Sequence, residues 1–219
     1  MLDVPPKYLT ELQTRHASQL RVAVLPITDY ITLNTDAPPF DDVRVRRALN
    51  YALDRQEIVR LYGGVELARL TCQVLPPNFP GFAPYCPYTR DPGDDGTWTA
   101  PNLSRARDLI AASDTTGMHV RIMELEGQRV PDDLGDYFVS LLESLGYETS
   151  LKSMTDVYAY YERIYSPGRP DIAFEGWIAD YPAASTFITP PPPAAEEATL
   201  PASVTQTLTD WLRAPRSCR

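Results

Sequence analysis

Histidine is nearly missing: His16 and His119 are the only two in 219 residues, and neither belongs to an HExxH, CxxC or GxSxG arrangement. His16 lies in a polar, helix-like stretch and His119 opens a predicted strand, so both read as surface or edge residues. A GxxxxGK[ST] loop to cradle phosphates is absent, and no cluster of Cys and His has zinc spacing. No cofactor and no metal are therefore expected, and an enzyme is the least favoured reading. The acid pairs Asp41-Asp42, Asp94-Asp95 and Asp132-Asp133 fall in loops or ahead of helices, where capping and solvation account for them.

Positive charge is also scarce. Lys and Arg total 20 against 29 Asp and Glu, a formal charge of −9, and the densest basic run (residues 44–47) sits among Asp41, Asp42 and Asp54. That leaves no surplus to neutralise phosphates, so nucleic acid is excluded as the expected partner. No apolar run approaches the roughly 20 residues that span a bilayer. The opening residues MLDVPP have neither the basic n-region nor the apolar h-region of an export signal. Cysteine is limited to Cys72, Cys86 and Cys218. The first two flank a loop rich in Pro and Gly, and a bridge between them would contribute about 3 kcal/mol by closing it. Two unpaired thiols in a reducing compartment is the alternative that spacing leaves open.

What the chain does have is 43% apolar residues, enough for a core, and 22 prolines concentrated near residues 75–101 and 182–201. Residues 20–25 and 30–34 read as two short strands or as one strand with a kink. Val45, Ala48, Leu49 and Ala52 recur at helical spacing, which predicts a helix over 42–53 with Asp41 or Asp42 as N-cap and Phe40 as a staple. Asp54 followed by Glu57 has the spacing of a capping box and opens a second helix that stops at Gly63 and Gly64. The proline stretch reads as a long ordered loop held on the core by Phe79, Phe82, Tyr85, Tyr88 and Trp98.

Beyond it the order is simple. Helices are predicted over 104–113, 133–145 and 156–165, alternating with strands over 119–125, 148–151 and 171–177. Leu134, Tyr137, Phe138, Leu141, Leu142 and Leu145 make one apolar stripe, and Val157, Tyr160, Tyr161 and Ile164 another. This alternation argues an α/β fold. Residues 189–219 lose the pattern to prolines, alanines and polar residues, and are expected to be disordered.

Three segments carry a family resemblance: YITLNT (30–35) with PPFDDVRVRRALNYALDR (38–55), LPPNFPGFAPY (75–85) with NLSRARDLI (102–110), and DIAFEGWIADYP (171–182). In order and spacing they resemble the family 5 extracellular solute-binding proteins of ABC importers, the peptide and nickel type. The resemblance implies lobe II of a periplasmic-binding-protein-like type II fold, a mixed sheet with flanking helices, with the first lobe largely missing. Residues 1–29 would be a remnant of the first lobe or hinge crossing, 30–188 the second lobe and 189–219 the tail. The implied function is the substrate-binding component, as a fragment, of a peptide or related solute importer, its partner an ABC importer permease. The full-length parent would be extracytoplasmic, in the periplasm or anchored at the cell surface as a lipoprotein. A ligand-sensing module of a larger regulatory protein and a non-functional truncated product are the alternatives.

In peptide-binding members the acid of the Trp-x-x-Asp turn holds the ligand's α-ammonium, which maps onto Asp180, with Trp177 lining the cleft. A carboxylate about 4 Å from an ammonium gains roughly 4 kcal/mol at an effective dielectric near 20, before desolvation. From the residues alone, Asp180 could equally cap the turn before Tyr181 and Pro182, with Trp177 in the core.

Overall fold

The computed structural model describes residues 8–20, 25–77, 79–127, 130–131 and 133–188. The predicted tail and Cys218 lie outside the described residues, as does most of the predicted 20–25 strand. A short helix α1 (Leu9–Arg15) precedes strand β1 (Ile27–Leu33). Helices α2 (Val43–Ala52) and α3 (Arg55–Leu61) follow, and after the proline loop come α4 (Leu103–Ser113), β2 (His119–Leu125), α5 (Leu134–Ser144) and β3 (Glu148–Met154). The described part closes with α6 (Val157–Tyr165), β4 (Ile172–Ile178) and the single turn α7 (Ser185–Ile188).

The four strands form one mixed sheet in the order β1-β4-β2-β3. β2 runs parallel to β3 and β4, and β1 closes the edge antiparallel to β4, with Tyr30 opposite Glu175 and Thr28 opposite Trp177. Strand alternation sorts the side chains. Val120, Ile122, Ile172 and Phe174 face Leu49, Ile110, Phe138 and Leu142 of α2, α4 and α5 in the main core. Met123, Leu125 and Ala173 face Tyr160 and Ile164 of α6 on the other side. Covered on both faces, β2 is buried at five of its seven positions.

Local chemistry sets the helix ends. Asp42 accepts the Arg44 N–H to cap α2, Asn102 the Arg105 N–H to cap α4, and Asp156 the Ala159 N–H to cap α6. Gly146 after α5 takes φ of 94°, the left-handed conformation that ends a helix most easily at glycine. The capping box expected at Asp54 is only half formed. The Asp54 carboxylate accepts the N–H groups of Gln56 and Glu57. The Asp54 N–H, however, donates to the Tyr137 hydroxyl at 2.8 Å, and Glu57 turns away to pair with Arg60. A long-range donor site has displaced the local one.

Two aromatic expectations also change. On α6 the buried residues are Tyr160 and Ile164, while Tyr161 points outward and stacks on Tyr165 with ring centroids 6.3 Å apart. In the proline loop Phe79 packs edge-on against Phe187, and Tyr88 against Tyr51, but Tyr85 is exposed. Trp98 gathers the loop together with Cys72, Cys86 and Leu70, where the two sulfurs lie 2.00 Å apart and the Cα atoms 5.2 Å apart. At the N-terminal edge of the sheet, Asp171 accepts the Arg121 backbone N–H at 2.8 Å and its guanidinium at 2.8 and 3.0 Å, tying β2 to β4.

Candidate functional site

Because β2, β3 and β4 are parallel, their C-terminal ends share one edge, the place where parallel sheets characteristically bind ligands. The Trp177-x-x-Asp180 turn lies there. Trp177 is half-buried near the end of β4, and Asp180 is exposed just beyond it. What brings them together is Thr186 at the start of α7, whose side chain is only 1% exposed. Its hydroxyl accepts the Asp180 backbone N–H at 3.1 Å and the Trp177 indole N–H at 3.4 Å, and its own proton points at Asp180 Oδ2, 3.5 Å away. A hydroxyl offers one donor and two acceptor sites, so this one is fully used. The arrangement fixes the turn while leaving Asp180 Oδ1 directed at no partner among these bonds. Exposed Ile178, Tyr181 and Ile188 give the surroundings an apolar character.

The strand behind the turn is strongly perturbed. Glu175 is buried, and burial pushes its carboxyl up, opposed by hydrogen bonds from the hydroxyls of Tyr165 and Thr32. Burial and the nearby Glu175 also raise the phenols of Tyr30, Tyr161 and Tyr165. Gly176 has a packing reason to lack a side chain, since a Cβ there would lie 2.3 Å from Asp29 Oδ1 on β1.

Farther along the same edge, an open depression of about 610 Å³ is lined by Glu124, Glu126, Gly127 and Thr155. Of the sites expected from sequence, Asp180 and Trp177 share the Thr186 tie, while Cys72 and Cys86 belong to the separate loop cluster. His16 and His119 are both exposed, and His119 stands at the opposite, N-terminal edge. Thr186, Glu124 and Glu175 were not foreseen. Strand parity could have flagged Glu124, which shares the face of Val120 and Ile122. Nothing local marks a threonine six residues past Asp180. Among the described residues no group of three or more His, Cys, Asp or Glu could hold a metal, and no helix is long and apolar enough to cross a membrane.

The fold is thus a mixed sheet flanked by helices, with a polar turn at its carboxyl edge. The chain belongs to the bacterial extracellular solute-binding proteins, family 5, whose middle-region model matches residues 1–194. It is similar to a Pseudomonas aeruginosa protein named "Probable di/tripeptide-binding protein 5", 29% identical over 196 residues, covering 86% of this chain and 34% of that one. Glutathione-binding protein GsiB of Salmonella typhimurium is 39% identical over 124 residues, 47% of this chain and 24% of the relative. Among solved structures, the Escherichia coli murein tripeptide binding protein MppA superposes with a TM-score of 0.71 at 19% identity, over 94% of this chain and 38% of that one. A dipeptide binding protein from Pseudoalteromonas in complex with Met-Leu gives 0.62 at 22% identity, over 83% and 37%. The chain spans about a third or less of the length of the curated relatives it matches. These likenesses establish the mixed α/β architecture of the periplasmic-binding-protein type anticipated from the three segments.

Proposed function

We propose that this chain is the second-lobe portion of the substrate-binding component of an ABC importer for peptides or related solutes. It binds rather than transforms its ligand, and its parent works outside the cytoplasm, delivering solute to a membrane permease. Residues 30–188 form the lobe, and residues 1–29 belong to the first lobe or the crossing into it. The observation that carries the reading is the Thr186-tied turn, which holds Asp180 exposed at the carboxyl edge of the sheet beside the Trp177 indole. Asp180 receives the α-ammonium of the solute and Trp177 walls the cleft. A bridge between Cys72 and Cys86 suits an oxidising compartment and favours the extracytoplasmic reading over a cytoplasmic sensor.

The test compares Ala-Phe with N-acetyl-Ala-Phe by calorimetry on the complete chain and on its Asp180→Ala variant. Ala-Phe should bind the unaltered chain about tenfold or more tighter than its acetylated form, as expected for a charge-assisted hydrogen bond. Asp180→Ala should erase the difference. Equal binding of the two peptides to the unaltered chain would overturn the role of Asp180.

A further inference from the structure

We propose that Phe79 is a positioning residue for the solute-binding turn, propping α7 from the proline loop, and that the Cys72–Cys86 bridge holds it there. This rests on the reading of the Trp177 to Asp180 turn as the solute contact, and it names what keeps that turn in shape.

The turn depends on Thr186, and Thr186 depends on α7. That helix is a single turn, Ser185–Ile188, and so short a helix does not hold itself in water. Its backbone N–H bonds reach no farther than Ala183 and Ala184. Its anchor is the side chain next to Thr186. Phe187 is 3% exposed, and the Phe79 ring meets it edge to face, with centroids 5.2 Å apart and planes at 84°. Phe79 is itself buried. Among the described residues, neither ring belongs to the cores on the two faces of the sheet or to the cluster around the bridge. Their burial is a local pairing of the loop with α7, not part of a larger apolar mass.

Phe79 needs holding in turn. Between residues 75 and 85 the prolines supply no N–H, and the described backbone bonds within that stretch are two short turns. The Phe79 N–H donates to the Pro76 carbonyl at 3.2 Å, and the Phe82 N–H to the Phe79 carbonyl at 2.9 Å. Neither ties the loop to the rest of the lobe. The neck does. Cys72 and Cys86 close it covalently, the Gln73 side-chain amide donates across it to the Ala83 carbonyl, and the Arg55 guanidinium of α3 donates to the Thr71 carbonyl at 3.3 Å. Without the bridge the loop gains conformations, and Phe79 spends less time against Phe187. Once α7 loses that prop, the Thr186 hydroxyl leaves the Trp177 indole and the Asp180 N–H, and the turn loses its shape.

Nuclear magnetic resonance spectra of the complete 219-residue chain read the turn directly, through the Trp177 indole N–H and the Asp180 amide. Phe79→Ala should shift the indole signal upfield, move the Asp180 amide and weaken Ala-Phe about threefold or more. The amides of Val120 and Ile122 in β2 should stay in place, showing the lobe folded. Phe79→Leu, which keeps part of the buried volume, should do the same to a smaller extent, and serves where Phe79→Ala fails to fold. Replacing both Cys72 and Cys86 by Ser should move the same signals the same way, and adding that change to a Phe79 variant should move them no further. Turn signals unmoved in the folded Phe79 variants overturn the prop. A turn moved by the Phe79 variants but not by the serine variant, or moved further by the combination, overturns the role of the bridge; where the serine variant fails to fold, the Phe79 variants decide. Failure of the unaltered chain to bind Ala-Phe would overturn the solute reading instead, since the indole and Asp180 signals report the prop without a ligand.

Discussion

Replacing Thr186 by Val keeps the shape of a side chain that is 1% exposed and removes its hydroxyl. No cavity forms, so the effect isolates the hydrogen bonds. The bond from the Asp180 N–H at 3.1 Å has ordinary length and contributes about 1 kcal/mol. The indole contact at 3.4 Å and the carboxylate contact at 3.5 Å are at the edge of useful geometry and add only a fraction. Asp180 is exposed, and water recovers part of the loss at its N–H, whereas the half-buried indole recovers less. The expected destabilisation is about 1–2 kcal/mol. It should appear as a lower urea midpoint at unchanged slope, because the surface exposed on unfolding is the same. The Trp177 indole N–H resonance, assigned by its loss in Trp177→Phe, should move upfield, and Ala-Phe should bind more weakly. Thr186→Ser should restore the indole signal and Ala-Phe binding, while its midpoint stays lowered by the lost buried methyl. An unchanged midpoint together with an unmoved indole signal would refute the claim that this hydroxyl organises the turn.

Tyr137→Phe leaves the Asp54 N–H without its acceptor and should cost about 1–2 kcal/mol in urea unfolding, more than the usual exposed substitution. Tyr137, whose hydroxyl is pushed up to about 12 by burial, should stay protonated to alkaline pH in ultraviolet titration. The raised Glu175 carboxyl means that the native chain holds this proton to higher pH than the unfolded chain. Its contribution to stability is therefore largest in acid and declines as pH rises from the ordinary carboxyl range through the raised value. Glu175→Gln should flatten that decline in thermal melts at a series of pH values, and an identical slope would contradict it. Reducing the Cys72–Cys86 bridge, or replacing both by Ser, should lower stability by about 3 kcal/mol for a loop of this length, and an unaltered melting curve would show the bridge to be absent.

Much of this lobe could be read from local chemistry. The caps at Asp42, Asn102 and Asp156, the glycine stop at Gly146 and the stripe through Phe138 and Leu142 each depend on residues within one or two turns. Strand order did not follow from the sequence, since pairing β1 with β4 joins residues far apart in the chain, from Leu33 with Ile172 to Ile27 with Ile178. The half-formed capping box failed for the same reason: the competitor for the Asp54 N–H is Tyr137, on another helix. Tyr161 was misjudged because helical spacing groups it with Tyr160 and Ile164, although a nine-residue helix on the flank of a sheet buries a narrower stripe. At the candidate site, Asp180 and Trp177 were legible through a motif, whereas Thr186 and the Phe79 ring against Phe187 emerge only once distant elements meet.

The central claim is that solute binds at the carboxyl edge of the parallel strands. Mapping amide shifts of the complete chain during an Ala-Phe titration tests it most directly. The account predicts saturable shifts at residues 176–181 and at Thr186, with little change around Arg121 and Asp171 at the opposite edge. Shifts confined to that opposite edge, or none at any peptide concentration in a folded sample, would contradict it.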